Sequence, residues 1–259
     1  MLVPNDLYDL KRRIDRYLWD DDSLPLVRLR EILSKNFLDF PDVAIVGGMV
    51  RDFARRGPDL FKSDIDLVIE AKSEDVAKLA ARLGAAKNRF GGYAYQHPLW
   101  KVDFWALETT WAAKNGHVEV ATVRDITRCT FFDCDSSAYG LKDKRVYASP
   151  NYLNKLKRRV IDINLRPNPS INGNLLRAIR RIMLWNLQPG PDLRDFIERH
   201  LNDESMRQIS IAENSLYSNP IVQNYENSNM LLRQVNYRSG RDVLDASFGH
   251  QLELPFSSI

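Results

Sequence analysis

The sequence has few cysteines, few histidines and no long apolar run. Cys129 and Cys134 are its two cysteines, and it has four histidines in 259 residues. Neither cysteine lies in a zinc-ligand spacing, so we expect reduced thiols rather than a zinc domain or a disulfide framework. No segment approaches the roughly 18 apolar residues of a membrane span, and residues 1–19 lack a signal-peptide core. We therefore expect a cytoplasmic protein with no membrane partner.

The chain also lacks a strong charge of either sign. Lysine and arginine total 37 and aspartate and glutamate 34, which gives a net charge of +3. This bias permits a polyanionic ligand without indicating one. The composition is 44% hydrophobic and 27% charged, which excludes a disordered or coiled-coil protein and predicts one large or two modest domains.

Hydrophobic periodicity predicts a mixed first part and a helical second part. Two amphipathic helices are expected before residue 38, and a clear one at 175–187. We place a domain boundary near residue 150, with an irregular, Asn-rich segment after Asn202 in the helical domain 151–259. The first part, 1–150, has predicted strands at 43–46, 64–70, 93–95 and 101–107 and predicted helices at 49–56 and 73–83.

Three features between residues 43 and 103 point to phosphate and metal chemistry. Gly47-Gly48 joins a predicted strand to a predicted helix, so that free backbone N–H groups and the positive end of the helix can bind an anion. Arg51 follows one turn later, where its guanidinium can contact the same anion. Asp64 and Asp66 are two apart on a strand, so they share one face and can hold a divalent cation. Asp103, on another predicted strand, can join them from the side.

These residues resemble a known family. Gly47 to Asp52 (GGMVRD) followed by Ser63 to Val68 (SDIDLV) is similar to the head signature of polymerase-β-like nucleotidyltransferases, in particular bacterial poly(A) polymerases and class II CCA-adding enzymes. Leu175 to Arg180 (LLRAIR) resembles the first helix of the family's neck. The resemblance covers roughly residues 40 to 187. It implies an α+β fold in which a head with a mixed sheet and flanking helices precedes a smaller helical neck-like domain.

The resemblance also implies roles for individual residues. Asp64, Asp66 and Asp103 would be the catalytic residues and the ligands of two Mg²⁺ ions, with Mn²⁺ as a substitute. Gly47, Gly48 and Arg51 would hold the triphosphate of a nucleoside triphosphate. Asp135, which stands where the family has a sugar-contacting Asn, would complete the nucleotide site together with Arg177 and Arg180.

Two departures from the family pattern shape the predicted function. The family's base-reading Glu-Asp-x-x-Arg element falls on residues 170–174 (SINGN), which carry no charge. The chain also ends too soon after the neck for the usual tRNA-holding parts. We therefore predict a template-independent, Mg²⁺-dependent enzyme that transfers NMP or dNMP to a hydroxyl acceptor, releases pyrophosphate and makes a short oligonucleotide. By analogy with small anti-phage signalling transferases, its partners would include an effector or antitoxin protein, and it could form oligomers.

Two alternatives stay open. One is a tRNA 3′-end nucleotidyltransferase, either CCA-adding-like or toxin-like, for which tRNA is the acceptor. The other is a catalytically inactive nucleotide-binding regulatory module. The intact Asp64-x-Asp66 pair argues against the second alternative, because loss of chemistry should relax the need for two carboxylates on an apolar strand.

Overall fold

A seven-stranded mixed sheet lies at the centre of the molecule. The computed structural model describes residues 2–58, 61, 64–88 and 91–237. The strand order is β3-β4-β5-β2-β1-β6-β7; β2 and β5 are parallel, and the other neighbouring strands pair antiparallel. The strands are β1 (Val43–Val46), β2 (Ile65–Ile69), β3 (Ala86–Lys87), β4 (Tyr93–Gln96), β5 (Lys101–Ala106), β6 (Ser137–Gly140) and β7 (Val146–Ala148); β8 (Val160–Ile161) and β9 (Gln188–Pro189) form a separate parallel pair.

Helices precede the sheet, connect its strands and make up most of the second half. They are α1 (Leu7–Asp15), α2 (Leu24–Asn36), α3 (Gly48–Arg55), α4 (Ser73–Leu83), α5 (Trp111–Lys114), α6 (Tyr152–Lys157), α7 (Ile171–Leu184), α8 (Pro191–His200), α9 (Asp203–Leu216) and α10 (Ser228–Tyr237). The predicted α+β class, with a mixed sheet followed by helices, is confirmed. No helix in the described ranges is long and apolar enough to cross a membrane.

The two faces of the sheet have different surroundings. Side chains alternate between the faces, so Ile45, Leu67 and Phe104 point into the main core with the apolar sides of α1 to α4. Val46 and Val68 point the other way, into a smaller apolar cluster around Ile126. Polar residues on this second face are therefore held away from the main core.

The second half differs from its prediction after Asn202. The structure has helices α9 and α10 where the sequence predicts an irregular segment. Asn202 and Ser205 form a capping box at the start of α9, and Met206 and Ile209 are buried against the rest of the helical part. The cap and these buried apolar residues thus stabilise a helix whose sequence is rich in polar residues. The domain boundary near residue 150 stays a prediction, and residues 238–259 lie outside the described ranges.

Candidate active site

The turn between β1 and α3 approaches a carboxylate closely. Gly47 has a φ of 69°, and a Cβ added there would lie 2.9 Å from Oδ2 of Asp66. Both the positive φ and the short distance require glycine at this position. Gly48 is the first residue of α3 and is buried. The predicted strand–turn–helix is therefore present, with its helix N-terminus beside Asp66.

Asp66 and Asp103 lie opposite each other on the second face of the sheet. The parallel register of β2 and β5 pairs Asp66 with Asp103, and their exposed fractions are 8% and 2%. Neither oxygen of Asp103 accepts a hydrogen bond from a residue that the structure describes. Burial raises the pKa of Asp103, and the positive charge of Lys101 opposes that shift. Asp103 pairs with the ammonium of Lys101 at 3.4 Å and forms no hydrogen bond with a described residue, so its oxygens suit a hard divalent cation.

Lys101 pairs with two of the predicted carboxylates, Asp64 and Asp103. Its Nζ donates to Oδ2 of Asp64 at 2.6 Å and lies 3.4 Å from Oδ2 of Asp103. Burial favours the neutral amine, but the hydrogen bond to Asp64 and the charges of Asp103 and Asp64 outweigh it and raise the pKa of Lys101. Within the described residues, no three His, Cys, Asp or Glu side chains are arranged to hold one metal ion. The structure thus places Asp66 beside Asp103 and gives Asp64 an ammonium partner.

A cavity of about 150 Å³ opens onto Asp66 and Asp103. Part of its wall is apolar and includes Trp105, Trp111 and Phe131. An engineered cavity of this volume in another protein binds one benzene molecule, so the cavity here has room for a group the size of one aromatic ring. Its polar lining residues are Gly47, Asp66, Asn88, Asp103, Thr109, Thr110, Thr130, Asp135, Ser137, Asn174 and Arg177.

Asn174 and Arg177 line this cavity from α7. Nη2 of Arg177 donates to Oδ1 of Asn174 at 2.7 Å, which fixes the orientation of the amide because the guanidinium can only donate. Nδ2 of Asn174 is buried and has no hydrogen-bond partner among the described residues. The structure therefore places Arg177 on the wall of the same cavity as Asp66 and Asp103, and its contact with a nucleotide stays a prediction. It also adds an amide donor that the sequence analysis had counted only as a lost charge.

Arg51 lies in a buried ion-pair cluster beneath the Gly47-Gly48 turn. Its Nη1 donates to Asp135 at 3.0 Å and its Nε to Asp52 at 3.1 Å, and 3% of the residue is exposed. Arg181 of α7 donates to the other oxygen of Asp135 at 2.5 Å. Burial raises the pKa of Asp135, but the charges of Arg181 and Arg51 outweigh it and lower the pKa. This cluster joins α3 to α7, and Asp135 alone among these four residues lines the cavity.

Arg180 points to the other side of α7. Its Nη1 donates to Glu213 and to the backbone oxygen of Asn219, and its guanidinium lies 3.8 Å from the ring centroid of Tyr217. Glu213 is completely buried and also accepts from the N–H groups of Ile221 and Val222. Arg180 therefore holds α9 and the segment after it against α7, and it is not among the described residues that line the cavity.

Three residues at or beside the site were missed by the sequence analysis. Lys101 could have been found, because it lies two residues before Asp103 on a strand and so shares its face. Arg181 carried no signal, since its partner Asp135 is 46 residues away. Asn174 was noticed only as a departure from a family pattern.

Comparisons with known proteins find the fold and no close relative. No protein-family model and no curated protein matches the sequence. Among solved structures, a Thermotoga maritima CCA-adding enzyme complexed with tRNA has a TM-score of 0.57 and 18% identity, over 92% of this chain and 55% of that one. A CCA-adding enzyme with CTP has a TM-score of 0.56 and 19% identity, over 92% and 56%. A tRNA nucleotidyltransferase with a primer tRNA and an ATP analogue has a TM-score of 0.50 and 22% identity, over 76% and 57%.

These likenesses confirm the predicted resemblance at the level of the fold. The chain spans a little over half the length of each of these proteins. Within this chain, the glycine turn, strand β2 and helix α7 follow one another in the predicted order.

Proposed function

We propose that the protein is a template-independent nucleotidyltransferase. It would transfer a nucleoside monophosphate from a nucleoside triphosphate to a hydroxyl acceptor and release pyrophosphate. The observation that carries this proposal is the pair Asp66 and Asp103, buried side by side under the Gly47-Gly48 turn at the mouth of a ring-sized cavity. Paired carboxylates beside a helix N-terminus suit phosphoryl transfer, where positioning and charge do most of the catalysis.

The residues at the site fit a divalent cation, preferably Mg²⁺. Asp66 and Asp103 would hold it, because their oxygens are hard ligands and those of Asp103 accept no hydrogen bond from the described residues. Such a cation would neutralise charge on the triphosphate and lower the pKa of the attacking hydroxyl. The N–H groups at the start of α3 would orient the phosphates, and Arg177 would add a fixed positive charge.

The same geometry assigns Arg51 and Arg180 supporting roles. Arg51 would fix the Gly47-Gly48 turn through Asp135 and Arg181, and Arg180 would fix α7 through Glu213. Neither guanidinium would contact the nucleotide directly. Asp135 would serve both the cluster and the wall of the cavity.

We favour a short oligonucleotide as the product. Residues 170–174 present amides and no charge, so we infer that an amide donor, Nδ2 of Asn174, stands where an Asp and an Arg would read the base. Both A and C carry acceptors for such a donor, so it does not by itself enforce the ordered alternation of a CCA end, and a product of uniform or relaxed sequence is favoured. An effector that reads such a product, or an antitoxin that restrains the enzyme, would be its partner in a defence system.

A second candidate acceptor is the 3′ end of tRNA. It is supported by two of the structural neighbours, a CCA-adding enzyme complexed with tRNA and a tRNA nucleotidyltransferase complexed with a primer tRNA. The catalytic carboxylates would be the same, and only the occupant of the acceptor site would differ.

Labelled nucleotides separate these candidates. The purified protein is incubated with Mg²⁺ and each labelled NTP and dNTP, with and without bulk tRNA, and products are resolved on a denaturing gel. A ladder without tRNA supports the oligonucleotide synthase and names its nucleotide, whereas label on tRNA alone supports the second candidate. The variant Asp66→Ala should give neither product. No product under any condition would favour the inactive binding module.

A further inference from the structure

Positive charge is concentrated in two segments of the chain that lie outside the candidate active site. Residues 1–19 and 142–159 together carry eleven lysines and arginines against four aspartates, a net charge of +7. Because the whole chain carries +3, the rest of the chain carries −4. The positive charge is thus local, and the overall composition conceals it.

The fold brings these two segments together along α1. Helix α1 packs against β7, and Nζ of Lys157, at the end of α6, donates at 3.0 Å to the backbone oxygen of Asn5, just before α1. At the other end, Nζ of Lys144 lies 4.6 Å from the ring centroid of Trp19, in the π-helical turn that follows α1. Asn5 and Trp19 are fourteen positions apart in the chain, which corresponds to about 20 Å of helix. The two segments therefore border one elongated surface about 20 Å long.

Exposed cations follow this surface from one end to the other. Leu10 and Ile14 are the buried residues of α1, so Arg12 and Arg16, one turn apart, point to solvent beside Tyr8, which is 65% exposed. Lys144 and Lys157 are exposed at the two ends, and each is followed in the chain by an exposed arginine. We call this surface the basic face; it comprises Arg12, Arg16, Lys144, Arg145, Lys157 and Arg158.

The cations of the basic face differ from other exposed cations in having no acidic partner. None of the six forms an ion pair with a residue in the described ranges, although Lys11 and Lys155 in the same segments pair with Asp15 and Asp133. On other surfaces, exposed cations pair with an acid of the same helix, as Arg28 does with Glu31, Lys78 with Asp75 and Arg207 with Glu204. A row of cations without acids between them raises the local positive potential, which attracts an extended polyanion.

We propose that the basic face binds the phosphate backbone of a nucleic-acid strand, at a place separate from the cavity. None of the six residues is among the described residues that line the cavity, so this inference goes beyond the proposed function and concerns binding alone. Four of the six are arginines, whose guanidinium groups bind phosphate oxygens in a bidentate manner, and the exposed ring of Tyr8 can stack on a base. At 3.4 Å per nucleotide of a stacked strand, this surface accommodates about six phosphates.

A membrane surface fits the basic face less well. A helix that lies in a membrane interface buries a continuous apolar face among the lipids. The apolar face of α1 is already buried in the core of this protein, through Leu10 and Ile14. The observations therefore favour a nucleic acid over an anionic lipid surface.

Fluorescence anisotropy measures this binding without turnover. The whole chain is titrated into a labelled oligouridylate of about twelve nucleotides, in EDTA and without nucleoside triphosphate, at several salt concentrations. We expect binding at low salt, with log K falling by about 0.7 per contacted phosphate for each unit of log[salt]. The triple variant Arg16→Gln, Lys144→Gln, Lys157→Gln should bind at least tenfold more weakly, and its salt slope should be smaller by about 2, because three phosphate contacts are lost. Failure of the wild type to bind at low salt, or unchanged affinity in this variant, would overturn the proposal.

The triple variant Arg28→Gln, Lys78→Gln, Arg207→Gln is the matched control. It removes the same three positive charges from exposed positions, but from cations that pair with acids on other helices of the surface. Its affinity for the oligouridylate should change less than twofold. If the two triple variants weakened binding equally, the effect would be one of net charge, and the assignment to the basic face would be wrong.

Two further measurements separate this proposal from the proposed function and from a membrane partner. Asp66→Asn should bind the oligouridylate as tightly as the wild type, so absence of pyrophosphate release would count against the proposed function and leave the binding result valid. Vesicles of phosphatidylcholine and phosphatidylserine should not sediment the wild type. Sedimentation with these vesicles that the basic-face variant abolishes, without binding of the oligouridylate, would assign the face to a membrane and overturn the proposal.

Discussion

Asp135 should be a sensitive residue for stability, because it pairs with two buried arginines. Its two oxygens accept from Arg51 at 3.0 Å and from Arg181 at 2.5 Å, and the residue is 4% exposed. In Asp135→Ala both guanidinium groups lose this partner, although Arg51 keeps its pairing with Asp52. Breaking a buried ion pair by removing one partner costs about 3–5 kcal/mol. For a chain of this size, that corresponds to a fall in Tm of roughly 6–20 °C.

Thermal and urea unfolding of Asp135→Ala test this magnitude. The control is Asp22→Ala, which removes an exposed partner of Arg30 at 3.3 Å and should change stability by less than about 1 kcal/mol. A second control replaces Arg51, Asp135 and Arg181 together with Met, Leu and Met. It should recover most of the lost stability, because Asp52, the charge of the cluster that remains, still pairs with Arg55 at 3.4 Å. A loss below about 1 kcal/mol in Asp135→Ala would refute the view that this cluster joins α3 to α7.

The pH dependence has a definite sign. The arginine charges lower the pKa of Asp135 from its ordinary value of 3.8, so its contribution is complete above that pH and is lost as the pH falls through the folded-state pKa. The difference in stability between the wild type and Asp135→Ala should therefore shrink below about pH 4. A difference that grew on acidification would contradict the assignment of an ionised Asp135.

Three further predictions concern other parts of the molecule. Gly47→Ala should lose about 1–3 kcal/mol of stability and most pyrophosphate release, because the new Cβ would lie 2.9 Å from Oδ2 of Asp66. Gly116→Ala is the control, since Gly116 has a similar φ of 72° but no atom within 4 Å of an added Cβ. In this control, urea unfolding should show a loss of stability from backbone strain, and activity should not change. Asp125→Asn should destabilise by about 1 kcal/mol at pH 7 and by clearly less near pH 2. Hydrogen bonds from Ala121, Thr122 and Arg128 lower the pKa of Asp125 to about 2 although burial opposes them, so an effect independent of pH would contradict this. Asn174→Ala should raise the KM for the preferred nucleotide about tenfold and cost no more than about 1 kcal/mol of stability, since the described hydrogen bond that it loses is the one from the half-buried Arg177. An unchanged KM would remove Asn174 from base recognition.

The sequence predicted the elements that carry local signals. The apolar run of β1, the glycines that follow it and the alternation in β2 were enough to place the turn and Asp66. Strands were also predicted at 93–95 and 101–107, where β4 and β5 lie. The parallel pairing of β5 with β2, which sets Asp103 opposite Asp66, was not predicted. Register depends on contacts between segments far apart in the chain, and no local pattern encodes it.

The residues whose placement differed from expectation are those with distant partners. Arg51 was expected on the triphosphate, but its partner Asp135 lies 84 residues away, and together they form a buried cluster. Arg180 was expected to face the nucleotide, and its partner Glu213 lies on a helix that the sequence analysis expected to be irregular. From sequence alone, a charged residue is expected either on the exposed surface or at a ligand site. Its burial beside an opposite charge can be recognised only when the fold is known.

The central claim is that Asp66 and Asp103 perform nucleotidyl transfer. The most direct measurement is pyrophosphate release by the wild type and by Asp66→Asn and Asp103→Asn, with Mg²⁺ and the nucleotide that labels best, after circular dichroism has shown that all three proteins are folded. The account predicts release by the wild type and a loss of at least about a hundredfold in each variant, since each removes an ionised ligand from the reacting centre. Turnover near the wild-type rate in either folded variant would contradict it.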